Sequence, residues 1–313
     1  MSTPAPIAVP AVKAPNLPTN WTATDLPPLP NSNAAQANAV NAAGRAVGYS
    51  VNNGLADATM WENGIPTELG PGVATAINDK DMTVGYRPGD GFMTVAVMWP
   101  GGDLGLLEGY DSTVATGINK KGVIVGVAYN SFDTSQQVAF KWTEKGGMQV
   151  VPGCQYALAI NDKGQIAGIG TNFDAVICGG QDFGIPGAAD ALNNSGLAVG
   201  YSPFGDNAHA FVFPSTDLGP QSLATGVNDY GWVIGESFTP LGGAQARLSV
   251  RAHIARLFNP RLFGVSHPFV WSQKTGIVAL GGIVTANGIS GKRIVGATVT
   301  GDGSIHGVML TGN

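Results

Sequence analysis

Short apolar runs alternate with polar, glycine-rich breaks along the whole chain, and one phrase of hydrophobic and polar positions keeps returning. Small residues lead to an aliphatic, then Asn, two variable residues, Gly, two more, Val and Gly. It reads ANAVNAAGRAVG ending at Gly48, ATAINDKDMTVG ending at Gly85 and ATGINKKGVIVG ending at Gly126. It returns as ALAINDKGQIAG at Gly168, ADALNNSGLAVG at Gly200, ATGVNDYGWVIG at Gly235 and, degraded, TANGISGKRIVG at Gly296. A second pattern follows each phrase: a small or His residue, an apolar pair and an aromatic, as at Trp61, Trp99, Trp142, Phe213 and Trp271. A third closes the unit with Leu-Gly, around Leu69, Leu218 and Leu280. The fourth repeat is the poorest in the second pattern.

These signals predict four short strands per repeat. The first is rich in small residues, as over Val73–Ile77. An Asn-Asp-x-Gly turn follows, because Asn and Asp side chains bond nearby backbone and Gly accepts positive φ. The second strand is the aliphatic run into Val-Gly, the third carries the aromatic pattern, and the fourth ends in Leu-Gly. The first five repeat steps are 37, 41, 42, 32 and 35 residues. A period near that length with four strands fits a propeller blade. The seventh repeat stops before its fourth strand, while Trp21–Leu26 supplies a matching piece ahead of the first. The expectation is an all-β, seven-bladed β-propeller of four-stranded blades, its ring closed by an N-terminal strand that completes the last blade and removes a free edge. Residues 1–20 read as a Pro-rich extended arm, and 21–313 as one propeller domain.

Composition narrows the class. The chain carries 46 Gly and 20 Pro in 313 residues and is only 12% charged, which excludes a long-helix protein and argues against disorder. No long uncharged apolar run exists, so no membrane span is expected. The start, MSTPAPIAVPAVK, lacks the basic-then-apolar plan of a signal peptide. That places the chain in the cytoplasm as written, or outside the cell if a leader has been removed. A net charge of −5 argues against nucleic acid as partner.

The phrases resemble the HAF-repeat proteins, named for a His-Ala-Phe tripeptide present at His209-Ala210-Phe211 and nearly so at His267-Pro268-Phe269. The resemblance covers roughly residues 21–313. It implies a propeller-like fold and often an extracellular setting; it implies no reaction and brings no catalytic residues.

Candidate chemistry is sparse. His209, His267 and His306 share one repeat position, so each is expected at a strand end, bonding a neighbouring blade's backbone. Equivalent positions spread around a ring stand too far apart to share a metal, and no metal or cofactor is expected. The recurring Asn78-Asp79, Asn161-Asp162 and Asn228-Asp229 pairs read as turn chemistry, as do the Gly-Asp tips at Asp90, Asp206 and Asp302. Cys154 and Cys178 fall on the predicted first and third strands of the fourth repeat. Their expected state is a pair of buried free thiols; a disulfide needs Cα atoms within about 7 Å.

The departure from the repeat is more telling. Trp271 follows Gly235 by 36 positions, where other repeats take 13 to 16. The excess centres on AQARLSVRAHIARLFNPRLF. Val250, Ile254, Leu257 and Phe258 recur at helical spacing, and Pro260 marks an end. A short amphipathic helix is predicted over about 244–259. Between Phe238 and Thr300 lie Arg247, Arg251, Arg256, Arg261, Lys274, Lys292 and Arg293, with no acid. That leaves nine basic residues elsewhere against all 21 acidic ones. The arginines pair with acidic loops of the ring, or recognise an external carboxylate, phosphate or protein partner, for which their planar fork is suited, or belong to a short basic amphipathic helix lying on a membrane surface.

Two functions follow. The first is a binding propeller whose Arg247, Arg251, Arg256 and Arg261 take a small anionic ligand, or one that engages a protein or polysaccharide partner. The second is an enzyme, a lyase, hydrolase or isomerase, acting on a small anionic molecule at the funnel mouth. His253 is then the candidate acid or base, with Arg247 and Arg251 holding the substrate.

Overall fold

The computed structural model describes residues 14–204, 207–239 and 265–313. Among them every regular element is a strand. Each of repeats two to six forms its own four-stranded antiparallel sheet, paired in sequence order. Repeat two shows the plan: Val73–Ile77, Thr83–Pro88, Thr94–Trp99 and Gly102–Gly105.

Repeats one and seven join in one eight-stranded sheet. The link between them is a single parallel pairing, Ala34 with Ile305. Within that sheet the N-terminal strand Trp21–Leu26 lies antiparallel to Ile305–Gly312, in register from Trp21 opposite Gly312 to Leu26 opposite Gly307. It takes the fourth-strand place that the end of the seventh repeat leaves open. The first strands pack against one another in cyclic order, from Ala34–Val40 through each successive repeat to Thr285–Ser290 and back to Ala34–Val40. The chain is all-β with a propeller-like architecture.

The second strand sits unusually close to the first. A Cβ on Gly126 would fall 2.0 Å from the Val114 carbonyl oxygen, so the invariant second Gly of the phrase is set by backbone approach. Every first strand also carries a β-bulge at one place, between Ala74 and Ala76 in repeat two and between Ala189 and Ala191 in repeat five. The bulge turns the intervening side chain toward the next repeat.

Apolar clusters lie between sheets. Val84 and Ala96 of repeat two pack with Ala115, Ile124 and Phe140 of repeat three. Ala175 and Ala189 join repeats four and five in the same way, and Val199 and Phe269 join five and six. Both faces of each sheet are covered, which is why charge is scarce. Trp61 is fully buried and donates from Nε1 to the Pro27 carbonyl at 2.7 Å. Leu17, ahead of the first strand, is buried in the cluster that holds Trp232 and Ile294.

Candidate functional site

The first strands end on one face, in turns that open with Asn in six repeats and follow Ser290 in the seventh, and there a cavity of about 510 Å³ opens at the centre. Aliphatic residues, including Val40, Ile77, Ile118 and Leu192, form its floor. Asn41, Asn78, Asn119, Asn193 and Asn228 follow, and Asp79, Lys120, Asp162, Asp229 and Tyr230 stand at the rim.

The asparagines form a circuit. Asn78 Nδ2 donates to the Asn119 carbonyl at 3.0 Å, and Asn119 Nδ2 to the Asn161 carbonyl at 3.2 Å. Asn161 reaches Asn193, and Asn193 reaches Asn228, both at 3.0 Å. Asn41 donates to Asn78, and Asn228 to Gly291 in repeat seven. Each Oδ1 meanwhile accepts from its own turn, as Asn78 does from Lys80 and Met82 at 2.9 and 3.1 Å. The Nδ2 end of the carboxamide thus fastens one repeat to the next, while the Oδ1 end holds its own turn. Ser290 interrupts the circuit in the seventh repeat. There Arg293 Nη1 donates to the Ala42 carbonyl at 3.1 Å instead.

A second tier lies at the bulges. Thr75, Thr116 and Thr225 donate to the carbonyls of Ala115, Ala157 and Ala286 in the next repeat, at 2.6–2.8 Å. Asn38 and Asn287 do the same toward Ala74 and Ala37. At the rim the carboxylates are occupied as well. Asp79 accepts from the Ala42 N–H, Asp162 from Lys120 and Asp229 from Asn194. The cavity is a preorganised collar of polar groups already bonded to one another. Among the described residues no histidine lines it.

Arg247, Arg251, Arg256, Arg261, His253 and the predicted helix over 244–259 lie outside the described residues. Their attachment points are described: Thr239 pairs with Val265 across the second and third strands of repeat six. That connection lies at the end of the sheet opposite the Asn-Asp turns. Lys292 and Arg293, in contrast, sit in the turn of repeat seven at the cavity end.

The repeat pattern did not single out Glu236, which is fully buried. Its Oε2 accepts from Ser266 Oγ at 2.8 Å and its Oε1 from the Ala286 N–H at 3.2 Å. The available signal was positional. Glu236 follows the Val-Gly step where Tyr49, Tyr86 and Tyr201 stand in other repeats. Burial pushes the Tyr86 phenol well up, aided by Tyr49 and Tyr129. The Tyr201 phenol is raised by burial and by the Asp190 charge.

Two expectations are corrected. Where backbone partners were expected, each of the three histidines meets a side chain of its own sheet. His209 Nδ1 lies 2.8 Å from Asp217, and His306 Nδ1 lies 2.9 Å from Asp25. His267 Nε2 lies 2.9 Å from Thr239 Oγ1. The reason is strand order: the fourth strand brings Thr-Asp-Leu against the His of the third, and in repeat six no acid stands in that place. The cysteines are not free. Cys154 and Cys178 form a disulfide with Cα atoms 5.6 Å apart.

A smaller hollow of about 210 Å³ adjoins the disulfide, with Asp174 and Asp182 among its lining residues. Burial raises the Asp174 carboxyl, and the Asp182 charge adds to it. Among the described residues no group of three His, Cys, Asp or Glu side chains is placed to hold a metal ion, and no helix is long and apolar enough to cross a membrane.

No protein-family model matches the chain, and no curated protein matches it. Among solved structures it is similar to one described as a streptogramin B lyase structure, at a TM-score of 0.51 and 10% identity. The match covers 95% of this chain and 100% of the other. That protein is a β-propeller, and at this identity the likeness establishes the fold: the chain is folded like a β-propeller.

Proposed function

We propose that this protein is a seven-bladed propeller of the HAF-repeat kind that works as a binding module. The observation that carries this is the state of the central collar. Its asparagines and aspartates are engaged in joining one repeat to the next, so the centre serves as a rigid hub. Recognition then falls to groups mounted on the hub. The insertion between Thr239 and Val265 is the segment that departs most from the repeat, and Arg247, Arg251, Arg256 and Arg261 equip it to take an anionic ligand through charge-assisted, bidentate bonds.

A thermal-shift screen of small carboxylates, phosphates and sulfates tests the reading, comparing the unmodified protein with an Arg247→Ala/Arg251→Ala double variant. Binding to the native state alone raises the melting temperature. A ligand that stabilises the unmodified protein and leaves the variant unchanged is the expected result. Equal shifts in both proteins, or none with any anion, would remove the arginines from the site. Turnover of such an anion, lost in His253→Ala, would replace the binding module with the enzyme reading.

A further inference from the structure

The mouth of the collar holds a second circuit, one residue beyond the asparagines, and it is incomplete. In it a backbone N–H donates to the side chain at the same place in the next repeat. Ala42 donates to Asp79, Lys120 to Asp162, Asp162 to Asn194 and Asn194 to Asp229, all at 2.8–2.9 Å. The circuit breaks at two borders. Beyond Asp79 the next repeat presents Lys120, which carries no acceptor and whose ammonium lies 3.3 Å from Asp162. Beyond Asp229 comes the two-residue turn of repeat seven, Gly291 and Lys292, again with no side-chain acceptor.

Among the described residues no partner meets the N–H of Asp79 or of Asp229, and Asp79 accepts from Ala42 through Oδ1 alone, which leaves its Oδ2 open. The carboxamides add donors. Asn41 and Asn161 give both Nδ2 protons to protein acceptors. Asn78, Asn119 and Asn193, which also line the cavity, each give one to a described residue. Donors and an acceptor left over around one hollow suit hydroxyl groups, because a hydroxyl both gives and takes a hydrogen bond. One hydroxyl meets Asp79 N–H and Asp79 Oδ2 together, where a cation would meet only the carboxylate and an anion only the N–H.

The apolar part of the site is equally specific. At the turn position of Tyr230 the other repeats have Ala43, Lys80, Lys121, Lys163 and Ser195, so the turn does not require an aromatic. Tyr230 lines the cavity, keeps 37% of its surface exposed, and is backed by the buried Trp232 with ring centroids 5.2 Å apart. An exposed ring beside open polar groups gives one apolar surface and one wet edge, the two aspects that a sugar ring presents. The volume of about 510 Å³ falls within the range of about 300–1,000 Å³ that encloses a small molecule.

We infer that the collar cavity is a subsite for one neutral pyranose unit, its hydroxyls bonded at Asp79 and Asp229 and its ring against Tyr230. The asparagine bonds that fasten the repeats stay in place, so hub and subsite coexist. The site is separate from the arginine insertion and independent of the anion reading.

Isothermal titration calorimetry tests it with the methyl glycosides of glucose, galactose, mannose and N-acetylglucosamine, with cellobiose and maltose, and with hexylammonium and succinate as charged controls. At least one methyl glycoside is expected to bind, and neither charged control. Tyr230→Ala should weaken that sugar by about tenfold or more, as loss of an aromatic anchor does, with no change in melting temperature, and Tyr230→Trp should retain it. Asp79→Asn keeps the acceptor for Ala42 and should still weaken the sugar several-fold. A disaccharide that binds more tightly than its monosaccharide points to the end of a glycan as the source, and one that binds more weakly to a free sugar; both outcomes support the subsite. Arg247→Ala/Arg251→Ala should bind the sugar as the unmodified protein does, so failure here and failure of the anion reading are told apart. Heat from none of the sugars, sugar binding unaffected by Tyr230→Ala, or binding of hexylammonium or succinate in their place would overturn the proposal.

Discussion

His306 and Asp25 are 281 positions apart in sequence and 2.9 Å apart in space. The same His-to-Asp contact joins the third and fourth strands of repeat five, at His209 and Asp217. A strand from the start of the chain therefore reproduces, at the end of the chain, a contact that elsewhere forms within eight residues.

The strength of that closure should lie in apolar packing. Asp25 is well exposed, so Asp25→Asn is expected to cost less than about 1 kcal/mol. Leu26, 1% exposed, packs among Ala37, Trp61 and Val295. Leu26→Ala should cost about 3 kcal/mol, read by denaturant titration of both variants.

The collar makes a sharper prediction. Asn193 Nδ2 bonds the next repeat and its Oδ1 accepts from Ser195 and Leu197. Asn193→Ala strands buried backbone groups and should cost about 3 kcal/mol. Asn193→Asp keeps the acceptor but loses the donor. It should be destabilised as well, with melting temperature the measurement for both.

Reduction should weaken the fourth repeat. The disulfide closes a loop of sequence separation 24, for which restriction of the unfolded chain gives about 3.5 kcal/mol. Cys154→Ser/Cys178→Ser should lower stability by about that much. Reductant should lower the melting point of the unmodified protein and leave the variant unaffected.

Acid should separate two aspartates. The Arg87 guanidinium holds Asp103 below the usual carboxylate range, against a smaller opposing effect of burial. A lowered folded value contributes stability above about pH 4 that is lost as pH falls further. Asp103→Asn should therefore be the less stable protein at pH 7, by an amount that shrinks toward pH 3. Asp174 is raised instead, so its ionisation opposes folding once pH rises above about 4. Asp174→Asn should be slightly more stable at pH 7 and equal to the unmodified protein near pH 3. Denaturation at the two pH values decides both.

Most of the strand plan was legible because each repeat states it again. The Asn-x-x-Gly turn and the Val-Gly step bracket the first and second strands, and the Trp21–Leu26 piece declared its place by resembling a fourth strand. What could not be read depends on neighbours in space. Asn119 signals a turn, but its bond to Asn161 exists only once two repeats lie side by side. Cys154 and Cys178 have a spacing and no distance until the strands are set. Glu236 needed its burial to stand out from other acids.

The place of Trp21–Leu26 beside Ile305–Gly312 also sets an order of events on the ribosome. Each collar asparagine donates forward, to a carbonyl that has not yet been made, so every finished repeat waits for the next to secure its leading side. The strand at Trp21 waits longest, through nearly the entire translation, with an edge to which other chains can pair. A nascent chain interrupted before Ile305 lacks the strand that joins Trp21–Leu26 to Ala34–Val40 in one sheet.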